Sequence, residues 1–577
     1  MARLRFAASL VTAVAASATA AAAAAASQHS SPWRPCSARA NPDTNDLECA
    51  VIEVPLCHQG VCQSDQTIQL FAQRLLAKQD ANTKPNVWLL TGGPGMASHF
   101  ASDMIKLRAL SNDNVNLYTT DHRGTGRSAR LDCGKVVTHS GYGDCIEKLL
   151  AQFDNKAEAF SVTSAAKDVV HLITTFSSKS GTYIYGVSYG TYLTQRVMHL
   201  APKVVRGYIL DGVSADRGHP FTFQADDMLP VGKRMSEACE SDTFCRSKFS
   251  KEIAKHGSLH QAFLEIVNGF DTAPNRWVDL LVEAQNKKKE ALGSIGVMKT
   301  DKVSATIVVK QFLSDFTSGD KRVLIPAYLY RINRCNNDDV AFLQAFHNSE
   351  FSSESELSDD EESSKEDTNE DNYEDTDDTD DAEDAEEPSP VAGRLNVNAT
   401  KSFLWPDQTS FVQNYCLVTG RHNEPACQDA AMDDIKHYYR STPAFVYKPD
   451  EYSEKVATVP KRVGVLVFNG GLDFSTPWEF GRRQFEDFKT SNKLMVEVKH
   501  GAHGNVLTPM TPEDYTECGS RILLSSVGYK GNARKVDTSC LKDVPDIQFN
   551  NETTAASLLG LGLQGDAFEG TVLPFSK

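Results

Sequence analysis

From about residue 84 the sequence alternates short apolar runs with segments of helical periodicity, and each run leads into a polar or glycine-rich turn. Such alternation predicts an α/β fold, in which a mostly parallel sheet is covered by helices. Because ligands meet these sheets at the carboxyl ends of the strands, we expect functional residues in the turns. The six runs are Val87–Leu90, Val115–Thr120, Thr182–Tyr185, Tyr208–Leu210, Val463–Phe468 and Leu494–Val498.

The strand pattern stops between Asp211 and Val463, where amphipathic helical patterns replace it, for example at 259–270 and 303–316. This change predicts a large helical insertion, or lid, within one α/β core. We place the two parts of the core at 27–215 and 460–515, the insertion at 216–459 and a C-terminal segment at 516–577.

The acidic charge of the chain is concentrated in one segment of this insertion. The whole chain of 577 residues carries −17, whereas residues 350–387 hold 21 acidic residues and one lysine, a net of −20, which leaves +3 elsewhere. The tract at 349–391 is nearly free of apolar residues, so we expect it to be disordered. It could bind Ca²⁺ or a basic protein, although a solvated spacer is the simpler interpretation. We expect no nucleic-acid partner.

The N-terminus predicts secretion. Arg3 and Arg5 precede an apolar stretch and an alanine tract that ends near Ala26, which is typical of a signal peptide over 1–26, with an uncleaved anchor as the alternative. Downstream, no apolar stretch is long enough to span a membrane. Two sequons, at Asn398 and Asn551, are glycosylation candidates.

All 13 cysteines follow the predicted signal peptide, and an oxidising compartment favours disulfides. If each cysteine pairs with its neighbour in the sequence, Cys335 remains without a partner. A bond between Cys335 and Cys416, with Cys427 free, is the alternative. No cysteine pair has zinc-site spacing, so we expect neither a metal nor another cofactor. The neighbour pairs are Cys36–Cys49, Cys57–Cys62, Cys133–Cys145, Cys239–Cys245, Cys416–Cys427 and Cys518–Cys540.

Gly186-Val187-Ser188-Tyr189-Gly190 matches the G-x-S-x-G pattern of a nucleophilic serine on a sharp turn between a strand and a helix. An apolar run precedes it and a helical segment at 191–200 follows it, which favours a nucleophile over a simple glycine-rich turn. The strained turn would project the Ser188 hydroxyl from the sheet.

A nucleophilic serine needs a histidine base and a carboxylate that orients this histidine. Asp473 and His503 follow Ser188 in the order Ser, acid, His, each after a strand-like run. Asp211 is the alternative acid, because it also ends a strand, and His500 is the alternative base.

Backbone amides should stabilise the oxyanion of the tetrahedral intermediate. One candidate donor is the amide of Tyr189, directly after the nucleophile. The other lies in Gly92-Gly93-Pro94-Gly95, where Pro94 has no N–H and Gly93 is the favoured donor.

Several ordered motifs resemble the α/β-hydrolase serine peptidases of the prolyl aminopeptidase and tripeptidyl aminopeptidase group. The resemblance implies a triad of Ser188, Asp473 and His503. Cys57 departs from the family pattern, which usually has an acidic residue there, and the insertion is only weakly similar. The matching segments are Trp33–Leu56, Asp121–Ser128 with Cys133 after it, Val205–Val213, Asn469–Pro477, Gly501–Gly504 and Cys518–Cys540.

The resemblance implies an α/β-hydrolase fold and a peptide substrate cleaved near its free N-terminus. We therefore expect a secreted aminopeptidase whose lid supplies a carboxylate for the substrate's ammonium group. An esterase or lipase with the same triad is the first alternative. A non-catalytic binding protein on a hydrolase scaffold is the second.

Overall fold

The structure, a computed structural model, describes eleven parts of the chain. The described residues are 32–36, 46–93, 95–131, 141–216, 225–270, 272–273, 275–283, 319–352, 450–452, 455–559 and 562–572. Several predicted features lie outside them: the signal peptide, the acidic tract from residue 353 onward, the helical pattern at 303–316, Pro94, Cys133, Cys416, Cys427 and Asn398.

A nine-stranded sheet forms the centre of the structure, with the order β1-β2-β3-β5-β4-β6-β7-β8-β9. Strands β4 to β9 are parallel to one another, whereas β1, β2 and β3 join the edge in antiparallel fashion. The predicted α/β class and mostly parallel sheet are therefore confirmed. The strands are β1 Arg34–Pro35, β2 Leu47–Pro55, β3 Thr67–Leu75, β4 Asn86–Leu90, β5 Asn116–Thr120, β6 Thr182–Val187, β7 Val205–Asp211, β8 Gly464–Gly470 and β9 Lys493–Val498.

The three antiparallel strands were not predicted. Alternating burial along β2, with Ala50, Ile52 and Val54 facing the core, is the period-two signal of a strand with one solvent-facing side. This signal is present in the sequence, but the outward-facing residues of β2 interrupt its apolar run. The antiparallel strands cover the edge strand β5, whose backbone groups would otherwise be unpaired.

Helices cover both faces of the sheet, because the parallel strands are buried on both sides. Within β4, Trp88 and Leu90 join one apolar core, whereas Val87 and Leu89 join another on the opposite face. The first core includes helices α3 and α4, and the second includes α1 and α12. The helices that lie outside the predicted insertion are α1 Ala101–Leu110, α2 Gly141–Gln152, α3 Val162–Phe176, α4 Tyr189–Leu200, α11 Trp478–Asp487, α12 Cys518–Gly528 and α13 Glu552–Leu559.

Between β7 and β8 the described residues form helices with a third apolar core, which includes Trp277, Leu329 and Phe342. Helix α10 reaches Ser352 and so enters the first four residues of the tract predicted to be disordered. The helices are α5 Ala225–Ser241, α6 Thr243–Lys248, α7 Ser250–His256, α8 Leu259–Gly269, α9 Ile325–Arg334 and α10 Asn337–Ser352.

The C-terminal part of the chain packs against both the sheet and the insertion. Helix α12 contributes to a sheet core, whereas Phe549 and Phe568 belong to the core of the insertion. A short hairpin follows, formed by β10 Leu563–Gln564 and β11 Thr571–Val572. The buried guanidinium of Arg331, in α9, donates to the carbonyls of Ala567 at 2.7 Å and Gly570 at 2.6 Å. These two bonds tie the insertion to the C-terminal hairpin.

Four of the proposed disulfides are present, and Cys335 is a free, half-buried thiol. Cys145 lies in α2, and its proposed partner Cys133 lies outside the described residues. In the part of the chain that the structure describes, no helix is long and apolar enough to cross a membrane. The four bonds join Cys36 to Cys49, Cys57 to Cys62, Cys239 to Cys245 and Cys518 to Cys540.

Candidate active site

Ser188 occupies a strained turn between β6 and α4, with φ of 57° and ψ of −126°. Only glycines fit beside it: a Cβ at Gly186 would lie 2.3 Å from the Gly190 carbonyl oxygen, and one at Gly190 would lie 2.3 Å from that of Leu90. The amide of Ser188 donates to the Asp211 carbonyl at 3.0 Å, which ties this turn to the end of β7. A positive φ at a non-glycine residue is costly and persists where the surrounding structure enforces it.

Asp473 and His503 form a hydrogen-bonded pair at the adjacent strand ends. The Nδ1 atom of His503 lies 2.9 Å from Oδ2 and 3.1 Å from Oδ1 of Asp473. The buried carboxylate also accepts from the amides of Ser475 and Thr476 at 2.8 and 2.7 Å and from the Thr476 hydroxyl at 2.7 Å. Because an ionised carboxylate only accepts, Nδ1 carries the proton and Nε2 remains free to exchange one.

The environment of His503 raises its pKa. Burial alone would lower this pKa, but the negative charge of Asp473, the hydrogen bond to Asp473 and the charge of Asp211 outweigh the desolvation. The ring is therefore a stronger base than a histidine in water, and its protonated form is stabilised.

Asp211, the alternative acid, bonds to other groups. Its carboxylate accepts from the amides of Asn505 and Val506 and from the Tyr185 hydroxyl at 2.8 to 3.0 Å. Burial raises the pKa of Asp211 to about 6, and these three hydrogen-bond donors oppose the rise. Asp211 thus holds the backbone that follows His503, whereas Asp473 contacts the ring.

His500, the alternative base, bonds to a different carboxylate. Its Nδ1 is hydrogen-bonded to the exposed carboxylate of Asp546 in the C-terminal part of the chain. Burial lowers the pKa of His500, and the nearby Asp546 counteracts this shift. Of the two histidines in this loop, His503 is the one paired with a buried carboxylate.

The nucleophile turn and the histidine loop meet at the end of β7. At Gly212, a Cβ would lie 2.8 Å from Cε1 of the His503 ring and 3.0 Å from the Thr476 hydroxyl. Gly212 directly follows Asp211, whose carbonyl accepts from Ser188. Ser188, Asp473 and His503 are therefore gathered around one strand end.

The glycine-rich loop after β4 packs against Ser188. A Cβ at Gly92 would lie 2.9 Å from the Ser188 Cβ, and Gly93 adopts a φ of 101° that only glycine tolerates readily. Asp121 fixes the far end of this loop by accepting from the Ser98 amide at 2.7 Å. The bare backbone of the loop thus lies against the serine side chain.

Thr476 was not predicted as a site residue. Its hydroxyl donates to Asp473 and lies 3.1 Å from Nδ1 of His503, so it contacts both members of the pair. The available signal was a threonine three residues after an aspartate in the turn that follows a strand, a pattern in which the carboxylate accepts from the following amides. Among the described residues, no group of three or more His, Cys, Asp or Glu side chains is placed to hold a metal ion.

No protein-family model matches the sequence, and no curated protein matches it. A putative hydrolase from Agrobacterium vitis S4 is 17% identical over 30% of this chain, with a TM-score of 0.21, and the chain spans 54% of that structure. An esterase from Exiguobacterium antarcticum is 14% identical, with coverage of 81% of this chain and 98% of the esterase and a TM-score of 0.32. A proline iminopeptidase from Mycobacterium smegmatis is 11% identical, with coverage of 84% and 100% and a TM-score of 0.35.

These likenesses are too distant to carry an argument about activity, so the fold rests on the topology itself. The antiparallel strand β3 lies beside the parallel strands, and β5 lies between β3 and β4, so the spatial order of β4 and β5 is the reverse of their order in the chain. Helices cover both faces of this sheet. A serine on a strained turn between a central strand and a helix is the hallmark of one such architecture. The chain has the α/β-hydrolase fold.

Proposed function

We propose that this chain is a serine hydrolase that works through an acyl-enzyme intermediate. The observation that carries the proposal is the hydrogen bond between the buried Asp473 and the half-buried His503 at the strand end that also holds Ser188. A carboxylate-oriented histidine beside a serine on a strained turn is the arrangement that activates a hydroxyl for attack.

In the proposed reaction, the Ser188 oxygen attacks the substrate carbonyl carbon while Nε2 of His503 takes the hydroxyl proton. Collapse of the tetrahedral intermediate breaks the bond to the leaving amine, which receives that proton from His503. Water then attacks the acyl-enzyme and gives a proton to His503. When the second tetrahedral intermediate collapses, the ester bond breaks, the acid is released and His503 returns this proton to the Ser188 oxygen. Asp473 holds the ring and stabilises its protonated form throughout.

The oxyanion of each tetrahedral intermediate would be stabilised by the amides of Gly93 and Tyr189. The contact of Gly92 with Ser188 and the position of Tyr189 at the start of α4 support this assignment. Donors fixed in place before the reaction stabilise the developing charge more effectively than water does.

The substrate that we propose is a peptide with a free N-terminus, and the enzyme would be an aminopeptidase that releases residues or short peptides. This specificity follows from the motif resemblance described above. Secretion is part of the proposal, and the four disulfides fit an oxidising compartment.

Labelling with a fluorophosphonate and turnover of short peptide p-nitroanilides test the proposal. Ser188→Ala should abolish both, whereas the matched control Ser526→Ala, at a buried serine in α12, should retain both. Labelling of the Ser188→Ala variant at the wild-type rate would refute the nucleophile.

Substrates with free and acetylated N-termini then test specificity. An aminopeptidase cleaves only the peptide amide whose N-terminus is free. An esterase tolerates an acetylated N-terminus and prefers a p-nitrophenyl ester to an amide. Equal cleavage of the free and acetylated amides would refute the aminopeptidase assignment while leaving the hydrolase assignment in place.

A further inference from the structure

The helical insertion reaches the candidate active site through two arginines. Arg234 lies on α5, and Arg322 lies on the short 3-10 helix Gly319–Leu324. Each of them donates to a backbone carbonyl in one of the two loops that carry Asp473 and His503.

Arg234 holds the turn that carries the acid. Its Nε donates to the carbonyl of Gly471, two residues before Asp473, at 2.6 Å. The rest of the guanidinium is fixed by the Glu479 carboxylate at 2.6 and 3.3 Å and by the Trp478 ring, whose centroid lies 4.5 Å away. Three groups therefore hold this guanidinium in place: a backbone carbonyl, a carboxylate and an aromatic ring.

Arg322 holds the loop that carries the base. Its guanidinium donates to the carbonyl of His500, three residues before His503, at 2.8 Å and reaches the carbonyl of Met510 at 3.5 Å. The side chain is fully buried. A buried cation at this position bridges the beginning of the histidine loop and a point beyond its end.

The two loops are also bonded to each other. The amide of Gly471 donates to the Val498 carbonyl at 2.8 Å, and that of Leu472 donates to the Gly501 carbonyl at 3.0 Å. A displacement of one loop is therefore transmitted to the other. The arginines hold carbonyls at both edges of this joined pair, so the insertion can set the position of the acid relative to the base.

We propose that Arg234 and Arg322 are positioning residues, through which the insertion sets the hydrogen bond between Asp473 and His503. This inference rests on the proposed function, because it assigns those two residues to catalysis. It gives the insertion a part in catalysis in addition to any part in substrate selection. Charge-assisted bonds to backbone carbonyls suit this task, because they orient a loop without occupying the site.

The rate of fluorophosphonate labelling across pH tests the inference without a known substrate. In Arg322→Gln the histidine loop loses its cation, and we expect the labelling rate at high pH to fall about 10- to 100-fold, as for a misplacement of about 1 Å. Because a looser contact with Asp473 raises the pKa of His503 less, the midpoint of the rate should move to lower pH. Arg322→Lys keeps a donor and should recover part of both.

Arg331→Gln is the matched control. Arg331 is also a buried arginine of the insertion that donates to two backbone carbonyls, but these belong to Ala567 and Gly570. It should lose stability to a similar extent while its labelling rate per folded molecule and its pH midpoint stay at the wild-type values. Arg234→Gln provides a second test, at a less buried position, if Arg322→Gln fails to fold.

The outcomes separate this inference from the proposed function. If the wild-type protein is not labelled at Ser188, the proposed function fails. Suppose instead that the wild-type protein is labelled at Ser188. If the Arg322→Gln and Arg234→Gln variants fold and match its labelling rate and pH midpoint, the positioning role is overturned. A loss of rate equal to that of Arg331→Gln would also overturn it, since the effect would then be one of general stability.

Discussion

Replacement of Gly212 by alanine should separate activity from stability at the point where the nucleophile and base loops meet. The added Cβ would lie 2.8 Å from Cε1 and 2.9 Å from Nδ1 of His503. Carbon atoms in contact prefer about 3.5–4.0 Å, so the ring must move by about 0.7 Å or more. A displacement of about 1 Å in a catalytic group costs about 100-fold in rate. We therefore expect kcat of Gly212→Ala to fall by one to two orders of magnitude.

The substitution has a second cost that is independent of the histidine. Gly212 has a φ of +63°, and an L-residue in this region costs about 1–2 kcal/mol. Denaturant unfolding measures this loss, and kcat per fluorophosphonate-titrated site measures the effect on the reaction. Titration of sites removes any contribution from unfolded protein.

Gly257→Ala provides the matched control. Gly257 ends α7 with a φ of +84°, and among the described residues no heavy atom beyond its own chain neighbours lies within 4 Å of an added Cβ. It should lose a similar free energy of unfolding and keep its kcat. If Gly212→Ala retained the wild-type kcat, the contact between Gly212 and the His503 ring would not matter for the reaction, and the assignment of His503 as the base would be refuted.

Three further predictions concern the acid, the base and a disulfide. Asp473→Asn should lower kcat roughly 10³- to 10⁴-fold, because an amide at this position can favour the wrong histidine tautomer. Asp211→Asn should lower kcat less, and steady-state kinetics of both variants compares the two acids. The reaction needs neutral His503, whose pKa is raised above the ordinary 6.5. The value of kcat should therefore fall as the pH decreases, with a midpoint above pH 6.5. A pH–rate profile with a midpoint below 6.5 would contradict this expectation. Replacement of both Cys518 and Cys540 by alanine should lower the free energy of unfolding by about 3 kcal/mol, since the bond closes a loop across 22 residues; chemical denaturation checks the value, and kcat per titrated site should not change.

The sequence predicted the parallel part of the sheet well because buried parallel strands are continuous apolar runs that end in distinctive turns. Thr182–Val187, for example, is apolar and leads directly into the Ser188 turn. The antiparallel strand Leu47–Pro55 has a weaker signal, because its polar residues face outward and interrupt the run. The prediction therefore located the parallel strands and missed the covered edge.

The choice between Asp473 and Asp211 shows where local sequence stops being informative. Asp211 ends β7 and Asp473 lies in the turn after β8, and both are buried carboxylates. Only the path of the loop around His503 determines that Asp473 contacts the ring while Asp211 contacts the amides of Asn505 and Val506. The roles of Arg234 and Arg322 are still less accessible, since their carbonyl acceptors lie 237 and 178 positions later in the chain.

The bonds from Arg331 to Ala567 and Gly570 have a consequence for biosynthesis. The acceptors lie 236 and 239 positions after the arginine, so the ribosome makes Arg331 and its carboxylate partner Asp339 long before it makes these two carbonyls. Until then the guanidinium lacks these acceptors, and an unsatisfied buried donor costs about 1–3 kcal/mol, more when it is charged. A chain shortened before residue 562 would keep every residue of the proposed triad yet carry an open insertion core. The C-terminal hairpin thus sets an order of assembly, because the core of the insertion can close only after residues 562–572 have been made.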